Sequence, residues 1–347
     1  MQHEWMIYGA TAFSGKKLLT EALRLGQRPI LASGQGQELC DLAMQTQLPC
    51  RILPLTEPDT VLRYLRDIKV VVLCEDLEKA EHIQLLKACL KLQVHYFDTT
   101  NDLFSFERVQ SFAEKFQIAG LSLLPGLHPT VILSDFVAAT LKSQLKDANT
   151  LQLACSESFT SVSSLIGSLL SGGRVLQGGK LKRPLRAADS VLIPFNGGQS
   201  LTVSVPQADL LSAWVSTRIP NVTVYRKSGT KELRFLKIFR FFRWILHFPI
   251  VKRWLKKQEN FILRHFSIKP FYPERYSVWG RASNYKGRST TIRLEVVTDF
   301  DVTLDVTFRL LNVLFAGELV SGLLTPSQVF GSDYWLESQN LAIERLP

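Results

Sequence analysis

Short apolar runs alternate with segments of helical spacing over the first 125 residues of the chain. The apolar runs predict strands at 5–8, 29–32, 50–55, 70–73, 94–97 and 121–124. Helical spacing of apolar residues predicts helices at 16–25, 82–92 and 106–116. The run at 70–73 is apolar throughout, which is typical of a central strand buried on both faces. This alternation predicts a doubly wound parallel sheet of the Rossmann type.

The pattern changes after residue 125. A helix is predicted at 131–141, and mostly antiparallel strands are predicted at 191–194, 200–205, 222–225, 276–282 and 290–297. A further strand is expected at 302–304, then a helix at 306–321 and a helix start at Thr325–Pro326. We expect an α/β chain with a Rossmann domain at 1–125 and an α+β substrate or dimerisation domain at 126–322. The segment 323–347 is expected to return to the first domain.

Positive charge is concentrated in one segment of the second domain. The whole chain carries a formal charge of +10, whereas residues 226–269 hold 13 Lys or Arg against two acids, a net charge of +11. Six large apolar residues fall on one helical face of this segment: Phe235, Ile238, Phe239, Phe242, Ile245 and Leu246. A basic amphipathic helix suits an anionic membrane surface. The alternative is an insertion that packs on the protein or on a second subunit, as in a homodimer; nucleic acid is disfavoured because no recognisable module surrounds the patch.

A glycine-containing turn joins the first predicted strand to the first predicted helix. It fits the G-x-x-[GA]-x-x-G form of the dinucleotide-binding turn and consists of Gly9, Ala10, Thr11, Ala12, Phe13, Ser14 and Gly15. In such a turn the first glycine permits the sharp change of direction, and the last lets the helix pack close to the strand. The helix N-terminus then faces the pyrophosphate. The turn predicts a dinucleotide site, with the alternative that it only closes the fold.

The second predicted strand leads into Ser33 and Gly34, where a dinucleotide-binding domain contacts the ribose. An acid there favours NAD, and a nearby arginine accommodates the extra phosphate of NADP. The chain has neither residue, so both NAD and NADP stay open. We favour NADP because the acid is missing.

Six motifs follow one another along nearly the whole chain. They are Tyr8–Lys16, His95–Thr100, Pro125–Asp135, Gly172–Leu176, Ser216–Val222 and Gly322–Pro326. Together they resemble the saccharopine dehydrogenase-like oxidoreductase family, including its saccharopine reductase-like and trans-acting enoyl reductase-like branches. The resemblance implies an NAD(P)-dependent oxidoreductase. Its small-molecule or lipid-like substrate is not identified by the sequence, and the basic segment favours a hydrophobic or membrane-borne one.

The chain departs from the pattern of that family at three cofactor-facing places. Ala12 stands where the family usually has glycine, and Ser33–Gly34 replaces the end of an A-G-R stretch. Glu75–Asp76 follows the fourth strand where the family often has N-x-x-G-P. These departures keep a second hypothesis open: a catalytically inactive nucleotide-sensing or scaffolding protein at a membrane surface.

Hydride transfer needs a positioned nicotinamide and a proton donor near the ends of the strands. Asp98 and His128 occupy such places and are the candidate catalytic residues. The alternatives are that Asp98 caps a turn and that His128 bonds to nearby backbone. No Ser-His-Asp set and no metal-ligand spacing occurs, so no metal is expected.

The five cysteines contain no C-x-x-C pair. They predict reduced core thiols in a cytoplasmic protein. No apolar stretch approaches the roughly 20 residues of a membrane-spanning helix. We therefore expect a cytoplasmic location, with peripheral membrane contact through 226–269 left open.

Overall fold

The computed structural model describes residues 5–157, 174–182, 190–195, 198–229, 248, 251, 276–296, 301–334 and 340–346. These residues fall into two compact units. One unit is Met1–Ile132 with Asp301–Val329, and the other is Leu133–Phe300 with Phe330–Pro347. Most of the basic segment 226–269, including its predicted amphipathic helix, lies outside the described residues.

The first unit is built on parallel strands that alternate with helices. Its strands are β1 (Trp5–Tyr8), β2 (Ile30–Ser33), β3 (Cys50–Ile52), β4 (Val70–Leu73), β5 (His95–Asp98), β6 (Ser122–Leu124) and β15 (Gly322–Leu323). Its helices are α1 (Phe13–Arg24), α2 (Gln37–Thr46), α3 (Pro58–Tyr64), α4 (Lys79–Leu92), α5 (Leu103–Gln110), α6 (Ala113–Ile118), α9 (Val302–Ala316) and α10 (Pro326–Phe330). The short helices α2 and α3 fall outside the predicted helices.

The strands of the first unit form one seven-stranded parallel sheet. Their order is β15-β6-β5-β4-β1-β2-β3, and every pairing is parallel. Strand β4 lies at the centre and is buried along its whole length, as its apolar sequence predicts. The predicted Rossmann-type sheet is confirmed.

A late segment of the chain completes the first unit. Strand β15 pairs with β6, and the Ser122 hydroxyl donates to the carbonyl of Val320 at 2.9 Å. Helix α9 places Phe308 edge-on against Trp5, with ring centroids 6.1 Å apart. Lys17 forms an ion pair with Asp301 at 2.9 Å. The sheet therefore depends on a strand that begins 198 positions after the end of its sixth strand.

Helix α9 corrects the prediction of a strand at 302–304 and a helix at 306–321. The Asp301 side chain accepts hydrogen bonds from the backbone N–H groups of Thr303 and Leu304 and so starts the helix earlier. Gly317, with φ +78°, ends it at a left-handed cap. The predicted single helix at 106–116 is likewise two helices, α5 and α6.

The second unit is built on a mixed sheet. Its strands are β7 (Thr150–Cys155), β8 (Val175–Gln177), β9 (Lys180–Lys182), β10 (Ser190–Phe195), β11 (Gly198–Ser204), β12 (Asn221–Lys227), β13 (Ser277–Ser283), β14 (Ser289–Val296) and β16 (Leu341–Leu346). Its helices are α8 (Asp209–Thr217) and the part of α7 (Pro129–Gln144) from Leu133 onward.

Among the described strands, the order is β10-β11-β12-β7-β13-β14-β16, with β8 beside β12 and β9 beside β8. Only the pairing of β12 with β7 is parallel, so the predicted α+β unit with a mostly antiparallel sheet is confirmed. The predicted C-terminal segment 323–347 is divided: Val329 closes the first unit, and β16 joins the second sheet. The first unit also extends past the predicted boundary at 125, to Ile132.

A buried ion pair joins strand β12 to the start of helix α8. The Arg226 guanidinium donates to Asp209 Oδ2 at 2.9 Å and to the Gln207 side chain, and Arg226 and Asp209 are both buried.

Among the described helices, none is long and apolar enough to cross a membrane.

We expect Gly280→Ala to destabilise the second unit, because a Cβ at Gly280 would lie 2.4 Å from Val137 Cγ1 and 2.8 Å from Leu141 Cδ1. Overpacking of this kind costs about 1–3 kcal/mol. Gly34→Ala is the matched control, since its nearest neighbour, the Tyr8 hydroxyl, would be 3.6 Å from the new Cβ. Urea unfolding should show a loss for the first variant and almost none for the second; equal stabilities would contradict the packing.

Candidate functional site

The carboxyl ends of three neighbouring strands meet at one edge of the first sheet. Tyr8 of β1 pairs with Leu73 of β4, and Leu73 pairs with Asp98 of β5. The backbone continues this alignment, because Cys74 N donates to Tyr8 O at 2.8 Å and Thr99 N donates to Leu73 O at 3.0 Å. The loops that follow these strands are therefore held side by side, where open α/β sheets bind their ligands.

A cleft of about 330 Å³ lies at this edge of the sheet. Its wall combines the start of α1 with the loops after β4, β5 and β6. It is lined by Ala12, Phe13, Ser14, Leu73, Cys74, Glu75, Asp76, Asp98, Thr99, Thr100, Asn101 and His128. The structure thus brings part of the predicted glycine turn together with both predicted catalytic candidates, Asp98 and His128.

The glycine turn is tightly held by its own backbone. Gly9 has φ +81°, a conformation that glycine adopts without strain. The N–H groups of Gly9 and Ala10 donate to Ala32 O, and Ala12 N donates to Gly9 O at 3.0 Å. A Cβ at Gly9 would also lie 2.8 Å from Glu75 Cβ, so any larger side chain at Gly9 would disturb the turn itself.

Gly15 lets α1 approach β1 closely. A Cβ on Gly15 would lie 2.1 Å from the carbonyl oxygen of Gly9, which no side chain could tolerate. Ala12, the residue preceding α1, has extended geometry, and no side chain caps the helix. The first turn of α1 contains no acidic residue, so the positive end of its dipole is not neutralised from within the helix. This geometry fits a dinucleotide pyrophosphate, which such helix N-termini bind.

The predicted ribose-contacting residues lie apart from this cleft. Ser33 is 3% exposed, its hydroxyl accepts from Gln35 N at 3.3 Å, and neither Ser33 nor Gly34 lines the cleft. Helix α2, which follows them, brings Glu38 to Lys16 in an exposed ion pair at 2.8 Å. The sequence did not predict α2 and so missed this acid next to the glycine turn.

Two acids form the wall of the cleft after β4. Burial, together with the charges of Glu81 and Asp76, raises the pKa of Glu75. Asp76 remains exposed to solvent, yet the protein around it and the charge of Asp102 raise its pKa as well. Both groups therefore hold a proton more readily than free carboxyls, because the surrounding protein disfavours their charged forms and neighbouring carboxylates repel them.

Asp98 is fully buried and joins two loops of the cleft. Its Oδ1 accepts hydrogen bonds from Thr100 N and Gly126 N, each at 3.0 Å, and its carbonyl accepts from Leu127 N at 2.7 Å. Its Oδ2 accepts no well-formed hydrogen bond from the described residues. Burial raises the pKa of Asp98 to about 6, although these N–H donors and the nearby Tyr96 hydroxyl oppose the rise.

A buried chain of hydrogen bonds approaches Asp98 from behind. The Arg108 guanidinium donates to His82 Nδ1 at 2.7 Å, which leaves the ring proton on Nε2 to donate to the Tyr96 hydroxyl, also at 2.7 Å. Burial and the charge of Arg108 lower the pKa of His82 to about 4, so this histidine is neutral at physiological pH. The sequence offered no signal for this chain, because its members lie on three separate elements.

His128 is half-buried at the cleft, where its Nδ1 lies 3.0 Å from the Thr130 hydroxyl and 3.4 Å from Thr130 N. Thr130 N–H donates to this ring nitrogen, so the local backbone contact that the sequence offered as an alternative is present.

Among the described residues, no group of three or more His, Cys, Asp or Glu is placed to hold a metal ion. Three cysteines are buried as predicted, but Cys50 is exposed and Cys40 half-buried, which corrects the expectation of five core thiols.

The raised pKa of Asp98 predicts that the free energy of unfolding depends on pH. The native state binds this proton more tightly than the unfolded chain, so its contribution to stability is complete below pH 3.8 and is lost as the pH rises through about 6. Asp98→Asn keeps an acceptor for the N–H groups of Thr100 and Gly126 but does not titrate. We expect the unfolding free energy of the wild type, minus that of the variant, to fall by about 2 kcal/mol between pH 4 and 7.

Urea denaturation at closely spaced pH values measures this difference. The exposed Asp59 is the matched control, and Asp59→Asn should give a nearly constant difference over the same interval. A constant difference for Asp98→Asn would mean that Asp98 titrates like a free carboxyl.

No protein-family model matches this sequence, and a search of curated proteins finds no match. Solved structures do match over nearly the whole chain. Saccharopine dehydrogenase (L-Glu forming) from Saccharomyces cerevisiae has a TM-score of 0.63 at 11% identity, covering 99% of this chain and 100% of that one. The homospermidine synthase hss from Legionella pneumophila, in complex with NAD, has a TM-score of 0.61 at 12% identity, covering 100% and 92%. The chain has the fold of the saccharopine dehydrogenase-like oxidoreductases.

Proposed function

We propose that the chain is an NAD(P)-dependent oxidoreductase of the saccharopine dehydrogenase-like type. The observation that carries the proposal is the start of α1. Gly15, where a Cβ would lie 2.1 Å from Gly9 O, lets the helix approach the turn closely, and the helix N-terminus after Ala12 is uncapped and borders the cleft. A dinucleotide uses this arrangement for its pyrophosphate. The fold shared with saccharopine dehydrogenase, and with a homospermidine synthase that binds NAD, supports the proposal.

The cofactor would supply the hydride chemistry, and the residues of the chain would position the reactants. The α1 N-terminus binds the pyrophosphate, while the loops after β4 and β5 form the wall beside the second half of the dinucleotide. Asp98 holds the loops at Thr100 and Gly126 in place and presents one carboxyl oxygen without a well-formed hydrogen bond. His128, whose Nδ1 lies 3.0 Å from the Thr130 hydroxyl, lines the cleft and would hold a proton for a substrate there.

The finer parts of the hypothesis rest on the sequence. NADP is favoured over NAD because strand β2 leads into Ser33 and Gly34 without an acid, although the Lys16–Glu38 pair brings an acid close to the turn. The substrate is a small or lipid-like molecule, and a homodimer remains a prediction. The second candidate is a catalytically inactive nucleotide-sensing or scaffolding protein at a membrane surface. It is favoured by Glu75, an acidic residue beside the turn, whose Cβ lies 2.8 Å from where a Cβ on Gly9 would be.

Substitutions at Ala12 test the anion site. Ala12→Asp should cap α1 through the backbone N–H groups of its first turn and stabilise the protein by about 1 kcal/mol. The same carboxylate would repel a pyrophosphate, so we expect at least a tenfold loss of affinity for NADPH and NADH. Nicotinamide fluorescence during titration gives the affinity, and thermal unfolding gives the stability.

Ala12→Asn is the matched control for this experiment. It has nearly the same size and caps the helix equally well, but it carries no charge. We expect it to bind dinucleotide within about threefold of the wild type. Equal affinities of the Asp and Asn variants would place the pyrophosphate elsewhere, and a wild type that binds neither dinucleotide would favour the scaffolding hypothesis. The ratio of NADPH to NADH affinity tests the NADP preference in the same titration.

The basic segment 226–269 generates a separate prediction, drawn from its sequence alone. Anionic lipid attracts a nearby Lys or Arg by roughly 1 kcal/mol each. We expect the protein to sediment with anionic liposomes at low salt and much less with neutral ones. Reversing Arg240, Arg243, Lys252 and Lys256 to Glu should release it while dinucleotide binding persists. A wild type that ignores anionic liposomes would indicate a packed protein interface instead.

A further inference from the structure

The topology of the first sheet determines which loops face which half of a bound dinucleotide. The ribose that distinguishes NAD from NADP belongs to the adenosine half and lies at the end of β2. The pyrophosphate lies at the start of α1, after β1. Because β4 and β5 follow on the other side of β1, the loops after these two strands face the nicotinamide half.

The loops on the nicotinamide side are acidic. Of the twelve residues that line the cleft, Glu75, Asp76 and Asp98 are carboxylic acids and none is Lys or Arg. The Lys17 ammonium approaches the cleft residue Phe13, 5.1 Å from its ring centroid, but it is already paired with Asp301. Among the residues that the structure describes, the cleft therefore presents net negative charge to whatever occupies it.

Asp98 gives independent evidence that a positively polarised group belongs in this cleft. Its side chain is fully buried, and Oδ2 accepts no well-formed hydrogen bond from the described residues, while Oδ1 accepts two. The Tyr96 hydroxyl lies near Asp98 and lowers its pKa, but a carboxylate oxygen can accept more than one hydrogen bond, so Oδ2 keeps capacity for a donor from a ligand or water. Glu75 adds a second carboxylate to the cleft. Its Cβ lies 2.8 Å from the position that a Cβ on Gly9, in the pyrophosphate turn, would occupy.

We propose that this acidic cleft selects the oxidised form of the dinucleotide over the reduced form. The inference rests on the proposed function, since it requires a dinucleotide at the glycine turn. The nicotinamide ring carries a positive charge only when it is oxidised, so the carboxylates of Glu75, Asp76 and Asp98 attract NAD(P)⁺ and give NAD(P)H no such advantage. The rest of the two molecules is the same, so the difference in affinity isolates the charge of the ring.

The selection has a direct consequence for how the protein works. A cleft that holds NAD(P)⁺ more tightly keeps the cofactor ready to accept hydride. The reduced product, once neutral at the ring, leaves more easily. Glu75, Asp76 and Asp98 thus determine specificity for the oxidation state of the cofactor and need not contact the substrate.

Isothermal titration calorimetry at pH 8 tests the proposal with four ligands: NAD⁺, NADH, NADP⁺ and NADPH. We expect the wild type to bind the oxidised member of its preferred pair about tenfold more tightly than the reduced member, as one attractive charge in a partly enclosed site allows. Glu75→Gln combined with Asp76→Asn keeps the shape of the wall and removes two charges. We expect this variant to reduce the oxidised-to-reduced affinity ratio at least threefold.

Glu114→Gln is the matched control, since it removes an exposed carboxylate of α6 that does not line the cleft, and its ratio should equal that of the wild type. Thermal unfolding checks that each variant is folded, and Glu75→Gln alone serves if the double variant is not. Tighter binding of the reduced form by the wild type, or an unchanged ratio in the charge-removed variant, overturns the selection and leaves the proposed function standing. Failure to bind any of the four ligands overturns both.

Discussion

The two hydrogen bonds that Asp98 Oδ1 accepts hold the candidate site together. One comes from Thr100, in the loop after β5, and the other from Gly126, in the loop after β6. Because these loops belong to different strands, their shape at the cleft depends on this one carboxylate. The neighbouring strands are held in register by main-chain bonds, so the position of Asp98 is in turn determined by β4. Asp98 must therefore stay buried for the site to keep its form, and the burial that orders the loops also raises its pKa.

The parts of the site that depend on local sequence were predictable. Gly9 and Gly15 lie six residues apart on a strand, turn and helix, and the pattern of neighbouring residues is enough to identify them. The position of Asp98 and His128 at the cleft was predictable for a similar reason, since residues at the carboxyl ends of parallel strands meet at one edge. The Arg108–His82–Tyr96 chain was not found, because residues 14 and 26 positions apart along the chain meet only in the folded state.

The departures from the family pattern have a structural meaning once the contacts are known. Glu75 packs against the position that a Cβ of Gly9 would occupy. The glycine at position 9 therefore leaves the space that Glu75 needs. Ala12 does not obstruct the turn, since it has extended geometry and leaves the start of α1 uncapped. Ser33 is turned inward and buried, which sequence alone could not show, because a serine after a strand is as often exposed. The boundaries of α9 were misjudged for a local reason: the capping Asp301 was overlooked.

Because the first sheet is completed by late residues, it cannot be closed until most of the chain has been synthesised. Ile132 ends the first part of that unit, and Asp301 begins its second part. At ribosomal speeds of 5–20 residues per second, the two parts emerge about 10–30 s apart. Throughout that interval β6 is an unpaired sheet edge and Trp5 lacks the cover of Phe308, which are features that promote association with other chains. Until residues 301–329 have emerged, the nascent chain therefore exposes surfaces that the complete first unit covers.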